Sequence, residues 1–102
     1  MSLQERLMAD LKDAMRANDG IRKDAIRMLR AAIKNAEIAA QHEMDDEGIQ
    51  QLIARDIKRR EEAIEILRRA NRSELIDIEE ASIKLLRAYL PVQLGREQIE
   101  QV

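Results

Sequence analysis

The stretch "IQQLIARDIKRREEAIEILRRA", residues 49–70, decides the fold. Ile49, Leu52, Ile53, Ile57, Ala63, Ile64 and Leu67 fall on one side when each residue is turned about 100° from the last. That period belongs to an amphipathic helix and excludes a strand. Positions 49, 53, 56, 60, 63 and 67 would form an unbroken apolar seam, except that two of them are Asp56 and Arg60. Four apart and opposite in sign, they predict a semi-buried structural ion pair, of a kind that fixes register more than it stabilises. On the outer face Glu65 and Arg69 are spaced for a surface bridge worth a few tenths of a kcal/mol.

Working outward, "QHEMDDEG" (41–48) reads as a polar loop, with Asp45 or Asp46 as the N-cap of the next helix. Upstream, Ala25, Ile26, Leu29, Ala32, Ile33 and Ala36 give a second helix, from about Ile21 to Ala40. "NDG" (18–20) separates it from a first helix, because Asn and Gly tolerate the left-handed angles that end helices. Ser2 and Glu5 have capping-box spacing ahead of Leu3, Leu7, Leu11, Ala14 and Met15. Downstream, Asn71 and Glu74 repeat that spacing before Leu75, Ile78, Ser82, Leu85, Leu86 and Tyr89. Pro91 disfavours helical geometry at Leu90 and ends the fourth helix. A fifth start comes at Arg96, with Gly95 as its cap. The expectation is an all-α, up-and-down bundle of four helices with the start of a fifth after a Pro-containing hinge. Residues 1–90 form its domain, and 91–102 are the hinge and first turns of a tail.

The 102 residues suffice for one core. With 18 basic and 20 acidic residues the chain carries a formal charge of −2, which excludes a broadly basic nucleic-acid binder and leaves room for a local patch. There is no cysteine, no signal-like opening, and no apolar run near the roughly 20 residues that span a bilayer. These features suit a cytoplasmic protein with no membrane partner. A nucleophile–base pair would have to use His42, the only histidine, beside Glu43, Asp45 and Asp46; it matches no catalytic or metal-ligand spacing. We therefore expect no catalytic residues, no metal and no cofactor.

Lys23, Arg27, Arg30 and Lys34 occur at i, i+4, i+7, i+11. They share an arc about 60° wide, expected opposite the apolar face of the second helix. Such a stripe can track a phosphate backbone, each neutralised phosphate releasing counterion. Its structural alternative is a solvent face balanced by acids on neighbouring helices. Ile38, Ile66 and Ile76, at the margins of the apolar faces, could instead meet another protein chain or a second copy, so self-association stays open.

Two longer segments carry a resemblance: "SLQERLMADLKDAMRANDGIRKDAIRMLRAAIKNAEI" and "IKRREEAIEILRRANRSELIDIEEASIKLLRAYLPVQLGREQI". With Lys58, Arg60, Ala63, Asn71, Arg72, Leu75 and the run Tyr89 to Leu94, the chain resembles the YqeY-like (GatB/YqeY domain) family of small bacterial proteins. The same module is similar to the C-terminal part of the B subunit of glutamine-dependent aspartyl/glutamyl-tRNA amidotransferase. The resemblance implies a non-catalytic helical module, accessory to tRNA binding or tRNA amidation, whose partner is tRNA or an amidotransferase complex. It adds Lys58 and Arg60 to Lys23, Arg27, Arg30 and Lys34 as nucleic-acid-binding candidates. Two alternatives remain at this point: a protein-interaction module without RNA binding, and an amidotransferase-like carbon–nitrogen ligase taking its amide from glutamine.

Overall fold

A computed structural model describes residues 1–91. Four helices fill them: α1 (Leu3–Arg16), α2 (Gly20–Ala40), α3 (Asp46–Arg69) and α4 (Ser73–Arg87). No strand occurs among the described residues. The expected fifth helix, from Arg96, lies outside them.

The connections are short, and each is built by identifiable side chains. Ser2 closes the capping box at the start of α1: its hydroxyl accepts from the Glu5 N–H at 3.1 Å, and the Glu5 carboxylate accepts from the Ser2 N–H at 3.0 Å. These bonds to Ser2 hold the Glu5 carboxyl below its usual range. Ser2→Ala is expected to cost about 1 kcal/mol in urea denaturation, the ordinary worth of a hydroxyl cap. In the "NDG" turn the work divides differently from the expectation. Asn18 alone takes the left-handed conformation, at φ 57°. Asp19 caps α2 by accepting from the Arg22 N–H at 3.1 Å, and Gly20 is already helical.

The 41–45 loop turns back through Gln41 at φ 62° and is tied to its neighbours. The Glu37 carboxylate accepts from the Met44 N–H at 2.9 Å and from the Gln4 amide at 2.9 Å. Asp45 caps α3 through the Gly48 N–H, and Asp46 reaches across to the Leu3 N–H at 3.0 Å. Asn71 does not cap α4. It occupies the left-handed region at φ 56° and finishes the turn after α3, while Arg72 takes the N-cap position without a side-chain bond. The capping-box spacing misled there because the chain needed a left-handed residue one position earlier.

Successive helices run antiparallel. Met15 lies beside Lys23 and Gln4 beside Lys34. Met28 lies beside Arg59 and Ala36 beside Leu52. Arg87 meets Glu61 while Leu75 lies beside Leu67. The centre is filled by Leu7, Ile26, Leu29, Ile49, Ile53 and Leu86, all essentially inaccessible. Aliphatic packing of this kind supplies most of the stability of helices that would be marginal alone.

The core side of α4 differs from the expected set. Ser82, Ile83 and Leu86 are buried, whereas Leu75 and Ile78 stay open to solvent. The apolar arc of α4, from Leu85 and Ile78 round to Ile76, spans about 180°. That is wider than the ≳ 100° stripe of an ordinary surface helix, so the Ile78 edge is left uncovered, while Leu75, near the middle of the arc, lies open in the first turn of the helix.

Candidate functional site

That uncovered edge of α4 forms one wall of a groove of about 680 Å³. The first turns of α2 supply Ile21 and Met28 to a second wall, and the last turns of α3 supply Ile66 and Leu67 to a third. Ile21, Met28, Ile66, Leu75 and Ile78 are each 39–67% exposed and converge on this one depression. Single exposed apolar residues need no explanation, but five around one groove do.

The groove has a charged floor. Arg60, 7% exposed, donates from Nε to Asp56 Oδ2 at 3.2 Å and from Nη1 to Glu79 Oε1 at 2.6 Å. Arg59 also donates to Asp56, and Met28 Sδ lies 3.8 Å from Arg60 Nη2. The seam pair read from the sequence is thus part of a four-member network spanning α3 and α4. Glu79 was missed because it lies nineteen residues from Arg60, on another helix. On the rim, Asp24 is exposed and makes no ion pair among the described residues.

The basic residues of α2 lie elsewhere. Buried Ala25, Ile26, Leu29 and Ile33 fix the core direction of this helix. Lys23, Arg27, Arg30 and Lys34 are centred about 115° from it, beside the apolar face instead of opposite it. They border the α1–α2 crevice on its outer side. Among the described residues none of the four has an ion-pair partner within 4.0 Å, although Glu37 is near enough to attract Lys34. Lys58 is exposed on α3, and the burial of Arg60 removes it from any outer surface. His42 is exposed and bonds the Glu43 carbonyl at 2.8 Å. Glu65 pairs with Arg68 at 2.6 Å, one position short of the expected Arg69.

A second polar cluster closes the bundle where the chain leaves α4. Tyr89 is buried, its hydroxyl donates to Asp10, and the Arg6 guanidinium sits 4.5 Å from the ring centroid. Arg22 approaches the same Asp10 at 3.5 Å. Burial first, then the bond to the Asp10 carboxylate and its charge, push the Tyr89 hydroxyl well above its ordinary value.

Comparison with known proteins gives a consistent picture. The family described as Yqey-like protein matches residues 4–102. A Lachancea thermotolerans protein named "Altered inheritance of mitochondria protein 41, mitochondrial" is 41% identical over 85 residues, covering 82% of this chain and 46% of the relative. Proteins of the same name from Pyrenophora tritici-repentis and Kluyveromyces lactis are 34% and 35% identical, over 95% and 92% of this chain. The chain spans about half the length of these relatives.

The names correct several expectations. They place the relatives in mitochondria of eukaryotes, which overturns the cytoplasmic and bacterial reading. They speak of mitochondrial inheritance, which overturns the tRNA-accessory and amidotransferase-like readings. The physical reasons are plain. Lack of cysteine is as compatible with one reducing compartment as with another. A basic stripe registers polyanions in general and names none of them. With a family match running nearly end to end and relatives above 30% identity, the chain belongs to the YqeY-like protein family.

Proposed function

We propose that this chain works in mitochondria, in the inheritance process its relatives are named for, as a docking module for another protein. The groove between α2, α3 and α4 receives one amphipathic helix. Its occupant presents apolar residues at i, i+4 and i+7 to Ile21, Met28, Ile66, Leu75 and Ile78, the helix-in-groove mode of recognition. A lysine or arginine on its flank meets Asp24, the rim carboxylate with no ion-pair partner among the described residues. The convergence of five exposed apolar side chains on one groove carries this reading. In the same proposal residues 1–90 are the docking domain.

The test uses a synthetic helical peptide with leucines at that spacing and one lysine, and a twin with glutamate in place of the lysine. Fluorescence anisotropy should show binding of the lysine peptide. The Ile66→Glu, Ile78→Glu double variant should weaken it by roughly tenfold or more, since it forces charge into a surface the peptide dehydrates. Asp24→Lys should reverse the preference between the twins by about two- to fivefold, as exposed pairs do. Equal binding by the double variant rejects the groove. A concentration-dependent mass in light scattering, abolished by the same variant, would make the occupant a second copy instead.

A further inference from the structure

The other flank of α2 presents a different surface. Lys23, Arg27, Arg30 and Lys34 run along one side of the α1–α2 crevice. On the facing edge of α1, Gln4, Met8 and Met15 share an arc of about 40°. Met8 is 39% and Met15 52% exposed. Because the helices are antiparallel, Met15 lies beside Lys23 and Arg27, and Gln4 beside Arg30 and Lys34. By helical spacing Met8 falls between them along α1, level with the middle of the stripe.

The neighbouring acids are occupied or turned aside. Glu37 is bonded to the Met44 N–H and the Gln4 amide and also attracts Lys34. Asp13 pairs with Arg16, and Asp19 caps α2. Asp24 lines the groove on the opposite flank. The α1–α2 edge is therefore a cationic row with exposed thioethers alongside it, on a protein whose formal net charge is −2.

We infer that this edge seats the protein on an anionic phospholipid surface. Lipid headgroups supply phosphates in the plane of the four cations, and Met8 and Met15 lie level with them, where they can enter the boundary between headgroups and acyl chains. Basic and apolar residues side by side on a helical surface are what interfacial binding requires. No helix among the described residues is long and apolar enough to cross a membrane, so contact of this kind would be peripheral. The apolar side chains separate a lipid surface from a nucleic acid: next to phosphodiesters, two methionines contribute little, and this row has no aromatic ring for bases to stack on.

Co-sedimentation with vesicles tests it. The protein should pellet with vesicles of phosphatidylcholine and phosphatidylglycerol and not with phosphatidylcholine alone. Replacing Lys23, Arg27, Arg30 and Lys34 by Gln should lower the partition coefficient by on the order of a hundredfold, since each cation near such a surface matters severalfold. Met8→Gln with Met15→Gln, which keeps every charge, should lower it roughly fivefold. Circular dichroism verifies that both variants remain helical, and the groove peptide should bind them as before. Unchanged vesicle binding by the quadruple Gln variant overturns the inference. So does insensitivity to the methionine pair, or binding to a mixed-sequence RNA duplex without binding to anionic vesicles.

Discussion

Arg60→Met should lower unfolding free energy by about 3 kcal/mol at neutral pH, the low end of the cost of removing one partner from a buried ion network. The guanidinium is the hub: it binds Asp56 through Nε and Glu79 through Nη1. Without it Asp56, only about a tenth exposed, keeps Arg59 as its sole cation among the described residues. Glu79 suffers less, because its side chain is 23% exposed and can turn to water. That difference sets the figure at the low end. Arg60→Lys should recover only part of the loss, because the ammonium's N–H donors all leave one nitrogen and cannot span Asp56 and Glu79 as the separate Nε and Nη1 of the guanidinium do. Replacing Asp56, Arg60 and Glu79 together by Leu, Met and Leu should be far milder than Arg60→Met alone, because no charge is then stranded. Urea denaturation of the three variants decides the matter. If Arg60→Met unfolds within about 0.5 kcal/mol of the parent, the network is not a buried one.

The network also shows how far the sequence carried. The helical period of residues 49–70 and the intrusion of Asp56 and Arg60 into its seam were both legible, since they depend on spacing along one helix. Glu79 was not, because which face of α4 meets Arg60 depends on how two helices pack. The groove was hidden for the same reason. Leu75 and Ile78 carry the same periodic signal as Leu86, and only the width of the apolar arc hinted that α3 could not cover all of it. The direction of the basic stripe was only partly legible: including Ala32 and Ala36 in the apolar face turns its centre by about 20°, toward a position opposite the stripe. The structure leaves Ala32 exposed and Ala36 half-buried, which turns the core away from them. Alanine, small and weakly apolar, reports the buried face of a helix poorly.

The proposed docking groove and membrane-seating edge lie on opposite flanks of α2. Met28 faces the groove, while Lys23 and Arg30 border α1. One helix can therefore serve both without competition, and a protein held on a membrane would still offer its groove. Where the chain leaves α4, the bundle is clasped to α1 by Tyr89, through Asp10 and Arg6.

Tyr89→Ala should cost about 3 kcal/mol, in the range for emptying a buried aromatic site. It removes the ring that lies under Arg6 and the hydroxyl that donates to Asp10. Tyr89→Phe keeps the ring and should lose only about 1 kcal/mol, because Asp10 retains Arg22. The two variants differ again in alkali. An unfolded tyrosine ionises near pH 10. In the folded chain burial and the Asp10 carboxylate raise that value, so the native state keeps its proton after the unfolded state has lost it. The unfolded state then binds fewer protons, and stability must fall as pH rises through and beyond 10. Below that range both states are protonated and the group contributes no slope. Denaturation measured on either side of pH 10 should show the parent losing more stability than Tyr89→Phe, the difference cancelling the lysines common to both. Tyr89 is the only tyrosine, so tyrosinate absorbance reads this one hydroxyl. An absorbance midpoint at the ordinary value would mean that the ring is open to water and that α1 and the end of α4 are not clasped together.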